Sequence, residues 1–139
     1  MKRFFLLTII LTVVMAGKVG AQDASSASKR ANQQYVLFES ERDKGTNVTA
    51  MYDYLLDSYA NFMKVVEAPN NGQYIGGAKN RLKALYPYLL NGAVYYSEQK
   101  QPAKALDFAA AYIDMPQMQL FRSELLPKDN RYASVVYYA

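Results

Sequence analysis

The sequence contains no cysteine, no histidine and no tryptophan among its 139 residues. Without cysteine the chain forms no disulfides and has no thiolate nucleophile. Without histidine it lacks the side chain most often used for acid–base catalysis near neutral pH, and also the commonest zinc ligand sets. We therefore expect no catalytic residues, no cofactor and no metal site, so the chain is not predicted to be an enzyme.

The charge balance gives no sign of a nucleic-acid partner. The chain carries 16 basic and 12 acidic residues and a net charge of +4. Three of the basic residues, Lys2, Arg3 and Lys18, lie in a candidate leader, and the remainder has 13 basic and 12 acidic residues. Such a balanced chain lacks the basic surface that binds phosphate backbones. We expect no nucleic acid among its partners.

The first 21 residues have the layout of a secretory signal peptide. A basic start is followed by an apolar run over 4–16 and by the small residues Val19-Gly20-Ala21. The alternative is a membrane anchor, but the run is shorter than the roughly 20 residues that cross a bilayer. A lipoprotein leader is excluded because its cleavage site needs a cysteine. We expect cleavage before Gln22, export to the periplasm or cell envelope of a Gram-negative bacterium, and no membrane insertion afterwards.

The rest of the chain has the composition of a packed domain. It is rich in apolar residues, which make up 51% of the whole sequence, and the chain contains thirteen tyrosines. Tyrosine in such numbers indicates half-buried positions, with the ring packed and the hydroxyl in water. We expect an all-α domain over 29–139.

The first two helices are predicted to form an antiparallel hairpin. Residues 22–28 are polar and small, and we expect a flexible lead-in there. Apolar spacing then predicts a helix from about Lys29 to Lys44, with Gly45 at its left-handed capping position. Asn47 is a candidate N-cap for a second helix over 48–67, although it also begins an Asn-Val-Thr glycosylation motif.

A third helix is predicted from Ala78 to Tyr96, with two uncertain points. Residues 73–77 fit either a loop or the start of this helix, because adjacent glycines weaken a helix. Pro87 either kinks one long helix or begins a second one, and the apolar pattern on both sides favours the kink.

A fourth helix is predicted from about Pro102 to Asp114, where Pro102 suits the first turn. Residues 117–128 are less regular. A last helix over 131–139 has an apolar stripe but no cap and no partner, and we expect from this that the protein continues beyond Ala139.

The pattern over 85–116 resembles the tetratricopeptide repeat, a helix pair of about 34 residues. The matching residues, with one extra residue in the turn, are Tyr88, Gly92 and Tyr95 in one helix and Ala105, Phe108, Ala109 or Ala111, and Pro116 in the next. Together with the leader and the tyrosines, the chain resembles exported repeat proteins of Bacteroidetes-type bacteria. The resemblance implies stacked antiparallel helix hairpins, an α-solenoid that shares one continuous core.

The resemblance also implies a non-catalytic scaffold that binds a protein or peptide. Its groove would be lined by the first helix of each pair, and the residues on that side of the third helix are Leu89, Ala93 and Tyr96, with Tyr86 at the margin. The alternative is that these four residues are core, since apolar stripes at helical spacing usually are.

Two other functions stay open at this point. The chain is the repeat region of a larger exported enzyme if a catalytic domain follows residue 139. It is a glycan-binding protein if its tyrosines stack on sugars; the candidates are Tyr52, Tyr54, Tyr59, Tyr74, Tyr86, Tyr88, Tyr95 and Tyr96. The carboxylates Asp53 and Asp57 share a helix face, and we interpret them as solvated rather than catalytic.

Overall fold

The computed structural model describes residues 24–123 and Leu126. The helices in this part of the chain are α1 (Ala24–Lys44), α2 (Val48–Glu67), α3 (Gly72–Glu98) and α4 (Pro102–Asp114). Two 3-10 turns follow, Met115–Gln117 and Gln119–Phe121. No strand occurs in the described residues, and the all-α prediction is confirmed. The predicted leader over 1–21 and the predicted last helix over 131–139 lie outside them.

The first helix begins before its predicted start, and the expected lead-in over 22–28 is helical from Ala24 onwards. The reason is that three small apolar residues, Ala24, Ala27 and Ala31, are buried on the same side of the helix as Tyr35 and Phe38. These alanines span two turns and continue the buried stripe toward the start of the helix. Serines between these alanines suggested a polar lead-in; of these, Ser25 and Ser26 are exposed and Ser28 is half-buried.

The turn between α1 and α2 follows the sequence prediction. Gly45 adopts a φ of 66°, and its N–H donates to the Glu41 carbonyl at 3.0 Å, which closes the helix end. Asn47 then caps α2, since its side-chain oxygen accepts a hydrogen bond from the Ala50 N–H at 3.0 Å. One glycine and one asparagine thus define the first hairpin turn.

Asn71 holds the next turn in a way that the sequence did not show. Its side-chain amide donates to the carbonyls of Val65 and Val66, at 2.8 and 3.0 Å, at the end of α2. The same residue is the N-cap position of α3. A single asparagine therefore ties the end of one helix to the start of the next.

The third helix is continuous, which decides both uncertain points. It starts at Gly72 and includes Gly76 and Gly77 as well as Pro87. The proline ring is exposed, so it faces water rather than a neighbouring helix. The prediction of one long helix through Pro87 is confirmed, and of the two alternatives for residues 73–77 the structure has the start of this helix.

The turn between α3 and α4 is a Schellman motif. The Gln101 N–H donates to the Tyr96 carbonyl at 2.9 Å, and the Lys100 N–H donates to the Ser97 carbonyl at 3.1 Å. Lys100 takes the left-handed position, with a φ of 58°, where glycine is usual. Pro102 stands in the first turn of α4, as predicted.

Both hairpins are tight, but for different reasons. In α1–α2 the buried Ser58 hydroxyl donates to the Ala31 carbonyl at 2.9 Å. In α3–α4 the ring of Phe108 occupies the place of the side chain that Gly92 lacks, because a Cβ built on Gly92 would lie 2.5 Å from a ring carbon. The close helix approach expected at Gly92 is present.

The two hairpins pack with α1 and α3 parallel. The Arg81 guanidinium lies 4.3 Å from the centre of the Tyr35 ring. Two turns further along both helices, the Arg42 guanidinium lies 5.8 Å from the centre of the Tyr88 ring. Each pair joins residues 46 positions apart in the sequence. Because the offset is the same in both pairs, the helices run in the same direction.

The α1–α3 contact contains a further aromatic pair, since the Phe38 and Tyr88 rings meet edge to face at 5.2 Å. The core extends from here through all four helices. None of the described helices has the length and apolar character needed to cross a bilayer.

Candidate functional site

The four residues named from the sequence as groove candidates are buried. Leu89, Ala93, Tyr96 and Tyr86 have exposed fractions of 0%, 5%, 1% and 1%. Tyr86 stacks on Tyr112 of α4 with ring centres 4.5 Å apart. Their burial agrees with the core alternative, because α3 packs against α1, α2 and α4 and has no free apolar side there. A binding surface has to be built from other residues.

Such a surface lies at the end of the molecule where α2 begins, α3 ends and α4 begins. We call it the Asp53 cluster, and it consists of Thr49, Tyr52 and Asp53 on α2, Tyr95 and Tyr96 on α3, and Lys104 and Phe108 on α4. The tight α3–α4 turn places the first turns of α4 beside the last turns of α3. The cluster therefore combines residues of both hairpins.

Four aromatic rings form the base of the Asp53 cluster. Tyr52 contacts Tyr95, Phe108 and Tyr96, with ring centres 5.2, 5.7 and 6.1 Å apart. Tyr96 in turn stacks on Phe108 at 5.5 Å. Tyr52, Tyr96 and Phe108 are buried, whereas Tyr95 is half-buried. Offset and edge-to-face contacts at these distances are favourable and keep the rings in place.

Polar groups surround the rings on the outer side. The Tyr96 hydroxyl donates to Asp53 Oδ1 at 3.5 Å, and the Lys104 ammonium lies 3.6 Å from the same oxygen. The Lys104 ammonium also lies 5.0 Å from the centre of the Tyr96 ring. The Tyr95 hydroxyl is 3.3 Å from the Thr49 hydroxyl. A carboxylate, an ammonium and three hydroxyls thus lie within one small area.

The environment keeps the Tyr96 hydroxyl protonated. Burial raises the pKa of Tyr96 to about 12, and the negative charge of Asp53 adds to this effect because it opposes a phenolate nearby. The hydroxyl is therefore a hydrogen-bond donor at all physiological pH values.

The charges of the Asp53 cluster face water. The side chains of Asp53 and Lys104 are 58% and 46% exposed. Among the described residues, Asp53 Oδ2 has no partner. This arrangement can offer a hydrogen-bond acceptor, an ammonium donor and part of an aromatic ring to a ligand. Such a combination suits recognition of a polar or charged group.

The two carboxylates that sequence reasoning grouped together have different roles. Asp57 forms an ion pair with Arg30 of α1, with an oxygen–nitrogen distance of 3.2 Å. Asp53, one turn earlier, points to α3 and α4 instead. The structure thus does not bring them together as a paired site, and no group of three or more metal-ligating side chains occurs within residues 24–123 and Leu126.

The tyrosines considered for sugar stacking fall into two groups. Tyr52, Tyr86 and Tyr96 are buried and belong to the core. The others are half-buried, namely Tyr54, Tyr59, Tyr74, Tyr88 and Tyr95. Within this second group, Tyr95 belongs to the Asp53 cluster, where its hydroxyl lies beside that of Thr49 and its ring contacts Tyr96.

Sequence reasoning missed the Asp53 cluster because its residues come from three separate segments. Asp53 and Lys104 are 51 positions apart, and neither belongs to a motif. The only available signal was the concentration of aromatic residues near one end of each helix.

Comparison with known proteins finds no matching family model, no matching curated protein and no matching solved structure.

Proposed function

We propose that this protein is a non-catalytic module that binds a protein or peptide segment, built from stacked helical hairpins of tetratricopeptide type. The observation that carries the proposal is the parallel packing of α1 on α3 through the Tyr35–Arg81 and Arg42–Tyr88 pairs. Parallel first helices are what stacking of successive hairpins produces. Stacks of this kind share their core between units and leave the outer surfaces for partners.

The stack differs from a regular tetratricopeptide array in its period. The two cation–π contacts between α1 and α3 join residues 46 positions apart, compared with a repeat length of about 34 residues. The additional length is in the helices, since α1, α2 and α3 have 21, 20 and 27 residues. The proposal is therefore an irregular hairpin stack, with hairpins longer than the tetratricopeptide unit.

The Asp53 cluster supports the binding role. Its charged side chains are exposed and carry both signs of charge, and it includes a half-buried tyrosine, which is a residue type enriched where proteins bind one another. It also spans both hairpins, so a partner bound there would depend on their stacking.

The predicted leader over 1–21 supports export to the cell envelope. We expect the purified protein to begin near Gln22 after expression in a Gram-negative host with its own leader. Mass measurement of protein recovered from the periplasm tests this, and an intact leader on cytoplasmic protein would contradict it.

Paired peptide and glycan arrays test the binding function. The proposal predicts sequence-dependent peptide binding that free peptide competes away and that Tyr95→Ala with Asp53→Ala weakens at least tenfold. A matched control is Tyr74→Ala with Asp57→Ala, which removes a half-buried tyrosine and a carboxylate outside the cluster. Glycans bound in place of peptides would favour the sugar-binding alternative, for which Tyr95 is the best-placed ring. Binding to neither array would contradict the proposal.

A further inference from the structure

We infer that the Asp53 cluster is the site for a basic side chain of the partner, with arginine preferred, and that Lys104 occupies this site in the free protein. The inference rests on the proposed peptide-binding function and adds the chemistry of the group that is bound.

The protein's own lysine shows that the site accepts a cation. The Lys104 ammonium lies 3.6 Å from Asp53 Oδ1 and 5.0 Å from the centre of the Tyr96 ring. A carboxylate and the face of an aromatic ring both attract a positive charge. The two features are adjacent because Tyr96 also donates its hydroxyl to Asp53.

Lys104 is held weakly enough to be displaced. Its side chain is 46% exposed and that of Asp53 is 58% exposed, so water screens the pair. Exposed ion pairs of this kind contribute little to stability, and a lysine side chain gains rotamer freedom when it is released. An incoming cation therefore replaces an existing contact at small cost, and the released Lys104 remains on the surface of α4.

Arginine fits the site better than a second lysine. Asp53 Oδ2 has no partner among the described residues, so the carboxylate can still accept a second hydrogen bond. A guanidinium reaches both oxygens of one carboxylate with parallel hydrogen bonds, which a single ammonium cannot do. Its flat face also stacks on aromatic rings, and the ring next to Asp53 is Tyr96, over which the Lys104 ammonium already lies.

The test is titration of the whole ¹⁵N-labelled protein with acetyl-Gly-Arg-Gly-amide, followed by amide chemical shifts. The matched ligand is the citrulline peptide, which has nearly the same shape but no charge. We expect saturable shifts around Asp53, Tyr95 and Lys104 with the arginine peptide, weaker affinity at high salt, and at least tenfold weaker binding of the citrulline peptide.

Three variants complete the test. Asp53→Asn should abolish arginine-peptide binding, whereas Asp57→Asn, one turn further along α2, should leave it unchanged. Lys104→Met removes the competing cation and keeps the apolar stem, so it should tighten binding. The expected gain is up to about fivefold, which corresponds to the free energy of a strong exposed ion pair. The amide spectrum of each variant shows whether it is folded.

The outcomes separate this inference from the function on which it rests. Equal binding of both ligands, or unchanged binding by folded Asp53→Asn, would show that the arginine site is wrong. Array peptides that bind without arginine, at residues outside the Asp53 cluster, would also show that it is wrong while leaving the peptide-binding function intact. Absence of binding to any peptide would overturn both.

Discussion

The two hairpins reach the same close packing by different chemistry. In α1–α2, buried alanines and a serine bring the backbones together, and the Ser58 hydroxyl bonds to the Ala31 carbonyl of the neighbouring helix. In α3–α4, Gly92 provides the space and the ring of Phe108 fills it. The first contact depends on a hydrogen bond and the second on an absent side chain. We therefore expect the two hairpins to respond differently to mutation.

The largest expected effect is in the second hairpin. Gly92→Leu would place atoms where the Phe108 ring already lies, so we expect a loss of about 3 kcal/mol in the free energy of unfolding. Chemical denaturation measures this. The control is Gly77→Leu on the exposed side of the same helix, where a Cβ meets nothing within 4 Å, and it should not destabilise. Equal effects of the two substitutions would contradict the close approach at Gly92.

The second effect concerns the contact between the hairpins and depends on pH. Burial raises the pKa of Tyr59 and of Tyr96 to about 12, and each is also influenced by a carboxylate of the other hairpin, Asp114 and Asp53 respectively. Tyrosine in the unfolded chain has a pKa near 10, so folding favours the neutral form. The contribution of each neutral hydroxyl to the free energy of unfolding is fully present below pH ~10. It is lost as the pH rises from ~10 to ~12, by about 1–2 kcal/mol for each tyrosine.

Denaturation at pH 9 and pH 11.5 measures this loss, and the variant Tyr96→Phe should lose less than the native protein. The control is Tyr54→Phe, which leaves both perturbed hydroxyls in place and should keep the native pH dependence. A free energy of unfolding that stays constant to pH 12 would show that the two hydroxyls are not in a buried environment.

The third effect tests the first hairpin. Ser58→Ala removes the hydrogen bond to the Ala31 carbonyl without adding volume, and we expect a loss of about 1 kcal/mol. Ser58→Val, which has a larger side chain in the same buried place, should cost more because α1 cannot move away without opening the core. If alanine at this position were neutral and valine stabilising, the close packing of α1 on α2 would be wrong.

The smallest effect compares the two turns. Gly45 and Lys100 both adopt a left-handed backbone, with φ values of 66° and 58°, but only the first is a glycine. Lys100→Gly should stabilise the protein by about 0.5–1 kcal/mol, whereas Gly45→Lys should destabilise it by a similar amount. Thermal unfolding midpoints of both variants measure this, and effects of the same sign would contradict the turn geometry.

The helices themselves could be predicted closely from the sequence. The bounds of α2 and α4 agree with the predictions, because Asn47 and Pro102 mark their starts and the apolar spacing between is regular. The prediction was poorer where small residues replace large apolar ones. The start of α1 at Ala24 was missed because the short side chains of alanine and serine give only a weak apolar pattern, and the start of α3 was left open between loop and helix because glycine is unfavourable in helices.

The packing and the candidate site could not be predicted to the same extent. The sequence showed that Leu89 and Tyr96 share an apolar side of α3 but not whether another helix covers it, and both are buried. Conversely, nothing in the sequence distinguishes Asp53 and Lys104 from other charged residues. Only the fold places both of them beside Tyr96. Local spacing determines helices, whereas contacts between distant segments depend on the angles at which helices cross.

The central claim is that α1 and α3 run parallel, and one measurement tests it directly. The chain contains no cysteine of its own. Spin labels will therefore attach only to the pairs of cysteines that are introduced at chosen positions. By the 46-residue offset, Lys29 and Lys44 on α1 correspond to Ile75 and Leu90 on α3. The next residues along α3 are the exposed Gly76 and the half-buried Asn91, and these are suitable partners for labelling. The labelled positions on each helix are 15 residues, or about 22 Å, apart.

Dipolar spectroscopy should then find the pairs 29–76 and 44–91 close together. The crossed pairs 29–91 and 44–76 should be about 15 Å further apart at the backbone, because the axial offset of about 22 Å is added at right angles to an interaxial distance of about 10 Å. Shorter distances for the crossed pairs, or equal distances for all four, would contradict the parallel stack and with it the structural basis of the proposed function.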